Sequence, residues 1–343
     1  MGSHAAFAEA LLWFLVFIYA LAGSVDFGAT FWKMVFARQG TEEAAEVAAS
    51  YVSPLWEATN VFLVLIAVVL VGFFPKAAFV YGTVLLIPGS LLLLLMALRG
   101  AFLSYGYAYA KATAFHRYVT GLTALVIPAL LVAVLPISDG GYVRHVMDTY
   151  RLDLHSLLSS PKVYAYILFG LTAELFISAT FLSDYAWTKG DRTAYRLFRV
   201  AASGAGPAMI IAGLTALFLL PSPAWLAGRL QAQWPLWVAS LIFMTLSMFA
   251  LWWPRSDGSP SGYPRLAVVM MGLQFAFAHL GYGRAHAPYL LYPYITPQEA
   301  FTNEVMFRGV LITLVLSMAI VVPAFVWLWR LFIAGPRPRG GAV

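Results

Sequence analysis

The sequence predicts an all-α, polytopic membrane protein with nine transmembrane helices. Three observations predict it. The 343 residues are 62% hydrophobic and only 10% charged, against about 25% charged in a soluble domain. Mean hydropathy is +0.80. The apolar runs continue over about 20 residues, the length a helix needs to cross the hydrocarbon core. That is far longer than the roughly 10-residue alternating segments of a membrane β-barrel. The chain has no cysteine, which removes disulfides, thiolate metal sites, iron–sulfur clusters and C-x-x-C-H haem attachment. The net charge of +6 sits largely in loops between apolar runs. It therefore reads as topology and not as a nucleic-acid surface. The first apolar run has no basic n-region and is long enough to span, so no cleavable signal peptide is expected.

The spans are expected over 8–36, 52–74, 76–101, 115–136, 162–186, 195–220, 234–253, 264–283 and 306–332. Turn chemistry separates them: Phe74-Pro75-Lys76, Asp139-Gly140-Gly141, Lys189-Gly190-Asp191, Pro221-Ser222-Pro223 and Ser256 to Pro260. Basic residues favour the side holding the connections at 36–52, 101–115, 186–195 and 253–264 and the C-terminus. Lys189, Arg192, Arg196, Arg199, Arg330, Arg337 and Arg339 all fall there. That side is expected to be cytoplasmic, with the N-terminus outside. Trp225, Trp234, Trp252, Trp253, Trp327 and Trp329 fall at span ends and read as interfacial belts. Gly204, Gly206 and Gly213 allow close helix packing.

An internal repeat runs through the chain. Val47 to Pro54 recurs as Val200 to Pro207, and Ala29-Thr30-Phe31 recurs as Ala179-Thr180-Phe181. An offset of about 150 residues and four spans implies two copies in parallel orientation. The expected division is a first four-helix bundle over 1–136, an outer amphipathic connection over 137–161 and a second bundle over 162–283. An outer loop over 284–305 and a ninth, peripheral helix with a cytoplasmic tail over 306–343 complete it. The two copies differ where chemistry is possible: Asp26 aligns with Phe176, and the acid and amide of Glu57 and Asn60 have no counterpart in the second copy.

Those differences mark the candidate site. A charged side chain inside a span costs about 2.5–3.5 kcal/mol on insertion scales, so an intramembrane acid is a functional candidate. Asp26 and Glu57 are expected at similar depth, close enough to face each other, with Glu57 in the first turns of its span. Asn60 lies one turn beyond Glu57 on the same face. Ser24 and Thr30 would extend a hydrogen-bonded line along the first span. Carboxyl groups, hydroxyls and water in such a line can relay protons. The same acids could instead be snorkelling or capping groups near the interface. Arg99, at the end of the third span, could pair with Asp26 or Glu57, although lipid phosphate is the plainer partner. Glu174 falls mid-span and is expected to hydrogen-bond a neighbouring helix. Asp184 falls at a boundary, where solvation explains it. Of six histidines, His279 alone is inside a predicted span and reads as a hydrogen-bonded bundle residue. A bis-histidine haem is hard to build from that set. No G-x-x-x-x-G-K-[ST], G-x-S-x-G or H-E-x-x-H motif is present.

Three segments carry a family resemblance: Asp26-Phe27-Gly28, the run from Pro54 through Trp56, Glu57 and Asn60 to Phe62, and Tyr292-Pro293-Tyr294-Ile295-Thr296-Pro297 before a last span with Pro323. They resemble subunit II of cytochrome bd-type quinol oxidases. In the first segment, Gly23-Ser24-Val25 stands where that family has an earlier D-G. The resemblance implies a partner subunit I carrying b-type haem and haem d, with quinol and O2 as substrates of the complex. It also implies a bacterial cell-membrane location and that no cofactor is bound by this chain alone. It implies that Asp26 and Glu57 contribute to a cytoplasm-facing proton route, shaped by Trp56, Asn60 and Arg99. A small single-span third subunit and an oxygen route would fit the same family. Two other readings stand beside it: a proton-coupled secondary transporter, which suits the repeat and the buried acids, and a purely structural subunit.

Overall fold

The computed structural model describes residues 2–109, 113–147, 149–219, 224–255 and 261–332; side chains at 52–58, 106–109, 224, 325 and 328–332 lie outside the description. Helices α1 (Gly2–Gln39) and α2 (Glu42–Phe73) form a hairpin, followed by α3 (Pro75–Val84), α4 (Leu86–Tyr109), α5 (Ala114–Val132) and α6 (Val134–Ser138). Strands β1 (Val143–Val146) and β2 (Thr149–Leu152) and helix α7 (Leu154–Leu158) come next. A second hairpin, α8 (Pro161–Lys189) and α9 (Arg192–Phe218), leads through α10 (Ala224–Ala232) to α11 (Trp234–Trp252) and α12 (Pro264–His286). The short α13 (Pro297–Ala300) and the long α14 (Glu304–Phe332) close the chain. Among the described residues, eight helical segments are long and apolar enough to cross a membrane, and α2 carries a shorter apolar stretch, Thr59–Phe73. The protein is a multi-pass, all-α membrane protein. The face at which the chain starts is called the first face, and the opposite one, carrying Gly40 and Gly190, the second.

Several helices depart from their expected limits for identifiable reasons. Helix α2 starts ten residues before the apolar run. Its first turns bury Ala44, Ala45, Val47 and Ala48 while Glu42, Glu43 and Glu46 stay exposed, so amphipathic packing extends the helix beyond the bilayer. Glu57 is therefore about 22 Å from the start of α2, although it stays close to the start of the apolar run. The third span breaks at Leu85. Pro88 has no N–H, and its ring conflicts with the carbonyl four residues earlier, at Val84. Pro136 stands in the same relation to Val132, and the fourth span breaks at Ala133. The 137–161 connection has structure of its own. It holds an antiparallel hairpin, pairing Val143 with Leu152 and Val146 with Thr149.

The repeat is clearest in its turns. Gly40 and Gly190 both adopt left-handed backbone, at φ +75° and +80°, and each is followed by a helix-starting residue, Thr41 or Asp191. This fixes the register at 150 residues. Ala44 and Ala194 are both buried, as are Ala48 and Phe198. The match of Val47–Pro54 to Val200–Pro207 is three residues out of this register. Three residues is close to one helical turn, so it pairs the same face at the wrong height. Helices α1 and α8 cross at equivalent positions. Gly28 lies so close to Ser178 that a methyl at residue 28 would overlap its side chain.

Packing joins the two halves. Helix α1 packs against α2, α5 and α8, α8 also packs against α9 and α12, and α14 rests on α2. The largest core cluster draws Val25, Ala29 and Phe36 from α1 together with Phe176 and Leu182 of α8, Phe198 of α9 and Met271 of α12. A second cluster near the first face ties Phe73, Phe74 and Val80 to Tyr142, Leu157, Leu291 and Phe307.

Candidate functional site

Asp26 and Thr30 lie one turn apart on α1, and the Thr30 hydroxyl donates to the Asp26 carbonyl at 3.0 Å. Helix α4 brings Arg99 to them. Its Nη1 is 3.1 Å from Asp26 Oδ2, and its Nη2 donates to Asp26 Oδ1 at 3.2 Å and to Thr30 Oγ1 at 2.9 Å. The guanidinium also lies 4.7 Å from the Phe27 ring centroid. Asp26 is 1% exposed and Arg99 3%. One guanidinium nitrogen donates to Asp26 Oδ1, while Asp26 Oδ2 and Arg99 Nε make no hydrogen bond. Removing one member of such a buried pair costs about 3–5 kcal/mol, because the other charge is stranded. The reading of Arg99 as a lipid-phosphate partner is thus corrected: it is buried and holds Asp26. The pair is about 21 Å from the Gly40 turn along α1.

Glu174, on α8, lies within electrostatic reach of Arg99 and Asp26. It is 2% exposed, and neither carboxyl oxygen has a hydrogen-bond partner. The expected bond to a neighbouring helix is absent. The local donors serve the backbone instead. Ser178 Oγ donates to the Glu174 carbonyl at 2.7 Å and accepts from Trp32 Nε1 at 3.0 Å. Two turns before Asp26, the buried Tyr19 hydroxyl also has no partner. Asn60, half-buried on α2, leaves Oδ1 unpaired, and Ser24 is half-buried on α1. Trp56 and Glu57 belong to α2, but their side chains lie outside the described residues. Asp184 is not merely solvated, since Arg265 Nε reaches it at 2.8 Å.

His279 packs as expected of a bundle residue. Its ring stacks on Trp13 at 4.2 Å, Nε2 is 2.9 Å from the Trp13 carbonyl, and Trp13 Nε1 donates to the His279 carbonyl at 3.1 Å. His116 Nδ1 is bonded to Thr113 Oγ1 at 2.6 Å. Among the described residues, no group of three or more His, Cys, Asp or Glu side chains could hold a metal ion.

Sequence reasoning missed a second polar centre near the first face. Asp139, 0% exposed, ends α6. Its Oδ2 accepts from the Tyr166 hydroxyl at 2.7 Å and lies 3.3 Å from Lys162 Nζ. Its Oδ1 accepts from the Tyr282 hydroxyl at 2.7 Å and lies 3.7 Å from His286 Nε2. Trp225 Nε1 donates to its carbonyl at 3.2 Å. The carboxylate thus ties α6 to α8 and α12, and the backbone carbonyl of the same residue ties it to α10. The Asp-Gly-Gly triplet reads as an ordinary turn. The available signal was a lysine opening the next span with an aspartate closing the previous one.

Comparisons with known proteins bear on what this geometry serves. The profile of the family described as cytochrome bd terminal oxidase subunit II matches residues 5–332. A protein of Bacillus subtilis (strain 168), named as a cytochrome bd menaquinol oxidase subunit II, is 37% identical over 339 residues, covering 98% of each chain. A chain in the solved structure of the bd oxidase from Geobacillus thermodenitrificans is 32% identical, with a TM-score of 0.80. That match covers 97% of this chain and 100% of the other.

Proposed function

Because the chain belongs to the cytochrome bd terminal oxidase subunit II family, we propose that it supplies its oxidase with a proton route through the membrane region around Asp26. It is a subunit of a bd-type quinol oxidase, an oxidoreductase, and its family's haems lie in another subunit. The haem-bearing partner subunit I, holding b-type haem and haem d, consumes quinol and O2. By analogy with the Bacillus subtilis relative's name, the quinol is menaquinol. A small third subunit completes the complex.

One observation carries the proton-route reading: a buried carboxylate–guanidinium pair with an unpaired acid beside it, deep within the spans. Asp26 and Glu57 are 14 residues before and 17 residues after the Gly40 turn, about 21 and 26 Å along their helices. That puts them at comparable depth. Protons would enter from the second face, the cytoplasmic one by its basic residues, and pass Asn60 and Glu57 toward the pair. The buried pairing with Arg99 holds Asp26 in place, so Asp26 acts as an electrostatic post and not as the moving carrier. With the N-terminus outside and the C-terminus inside, a reporter fused to the C-terminus should be active in the cytoplasm.

The decisive experiment is Glu57→Ala in the assembled complex. Quinol-dependent oxygen uptake per haem should fall roughly tenfold or more, as for loss of a proton-transfer group, while haem content is kept. Normal uptake at normal haem content would remove the assigned role. The transporter reading requires the chain to purify alone and colourless, whereas an oxidase subunit brings a haem-bearing partner with it.

A further inference from the structure

Glu174 has no role in the route just described, and its surroundings give it one. Its carboxyl group is buried on α8, which packs against α1, and both oxygens lack hydrogen bonds. The cation within electrostatic reach of it is Arg99. That guanidinium is already ion-paired with Asp26 and donates to Asp26 and Thr30, with Nε left unbonded. The pair is net neutral and offers no surplus positive charge. Tyr19, the other titratable group on the facing helix that feels Asp26, is itself buried and unpaired. An ionised carboxylate with no counter-charge of its own and no hydrogen bond is strongly disfavoured in an apolar interior.

The group is also free to exchange. Ser178 and Trp32, the local donors, are spent on the Glu174 backbone carbonyl and on each other. The carboxyl can therefore turn about its own bonds without breaking a hydrogen bond. We infer that Glu174 is the exchangeable proton store of the Asp26 site, a neutral acid carried by the second copy of the repeat beside the fixed pair. In each transfer, its O–H proton leaves to a water on the side of the partner subunit. One proton from the second-face side then re-forms the O–H bond, so the carboxyl is unchanged overall. During the exchange, the transient carboxylate faces Arg99. This rests on the proton-route reading above and adds a carrier to it.

Infrared spectroscopy of the purified complex tests it. The wild-type complex should show a neutral-carboxyl carbonyl stretch that shifts when H2O is replaced by D2O. Glu174→Gln should remove that band, and Glu174→Asp should move it. Oxygen uptake per haem should fall roughly tenfold in Glu174→Gln and recover in part in Glu174→Asp. A structural hydrogen-bonding role would not produce this pattern, because the amide preserves shape and polarity. A wild-type complex with no such band overturns the proposal, whether or not any variant assembles. So does a Glu174→Gln complex with the band intact or with normal uptake. If Glu57→Ala loses uptake while Glu174→Gln does not, the route survives and the store fails. If both are normal, both fail.

Discussion

The Asp26 pair and the Asp139 cluster are both buried carboxylates facing a cation, yet they are satisfied to different degrees. Around Asp139, each carboxylate oxygen accepts from a phenol, a lysine and a histidine stand within ion-pair distance although Lys162 Nζ and His286 Nε2 make no hydrogen bond, and a tryptophan donates to its backbone carbonyl. At the other site, Asp26 Oδ1 accepts from Arg99 while Asp26 Oδ2 and both oxygens of Glu174 make no hydrogen bond. A carboxylate with both oxygens bonded has one good arrangement and holds helices in place. Carboxylates with unbonded oxygens have polar capacity left for protons and water. The first-face cluster therefore reads as an anchor and the mid-membrane site as a place where something moves.

Variants can break this contrast at graded strength. The largest effect is expected from Asp139→Ala, which strands Lys162 and removes the acceptor of two phenols at once, a loss of about 3–5 kcal/mol. Because folded proteins hold only about 5–15 kcal/mol in reserve, the yield of haem-bearing complex should collapse, and no single second change should restore it. Asp26→Ala should cost a similar amount on its own by stranding Arg99. Adding Arg99→Met should restore most of the assembly, since an apolar pair replaces a buried ion pair at little net cost, but not the oxygen uptake. A rescue of both would place the mid-membrane site among the anchors.

Smaller effects sharpen the frame around the site. Gly28→Ala should lower the thermal midpoint of the purified complex through a crowding cost of about 1–3 kcal/mol at the α1–α8 crossing, because the new methyl meets Ser178. Ser178→Gly in the same chain should relieve it. An unchanged midpoint for Gly28→Ala would mean that the crossing gives way easily. The smallest effect is expected at Arg265→Ala, whose side chain is 73% exposed where it meets Asp184. Such a pair is worth about 0–1 kcal/mol, and the midpoint should barely move.

Much of this was legible before the fold was. The spans follow from the length of the apolar runs, and Asp26, Glu57 and Glu174 stand out because charge is costly there. The partner of Asp26 was harder to see. Arg99 is 73 residues away, and the third span continues to Tyr109, so an arginine that reads as terminal is interior. The register of the repeat was obscured because a slip of three residues nearly preserves the helix face. Asp139 was hidden by its own turn: its partners are on α8 and α12, up to 147 residues later, and no local spacing reports them.

The contrast is tested most directly by oxygen uptake per haem in two isosteric variants of the intact complex, Asp26→Asn and Asp139→Asn. If the mid-membrane site serves proton delivery and the first-face cluster is an anchor, Asp26→Asn keeps its haem but loses about tenfold in uptake. Asp139→Asn then yields less complex, with uptake per haem unchanged. Equal uptake per haem in the two, or a loss confined to Asp139→Asn, would contradict that assignment.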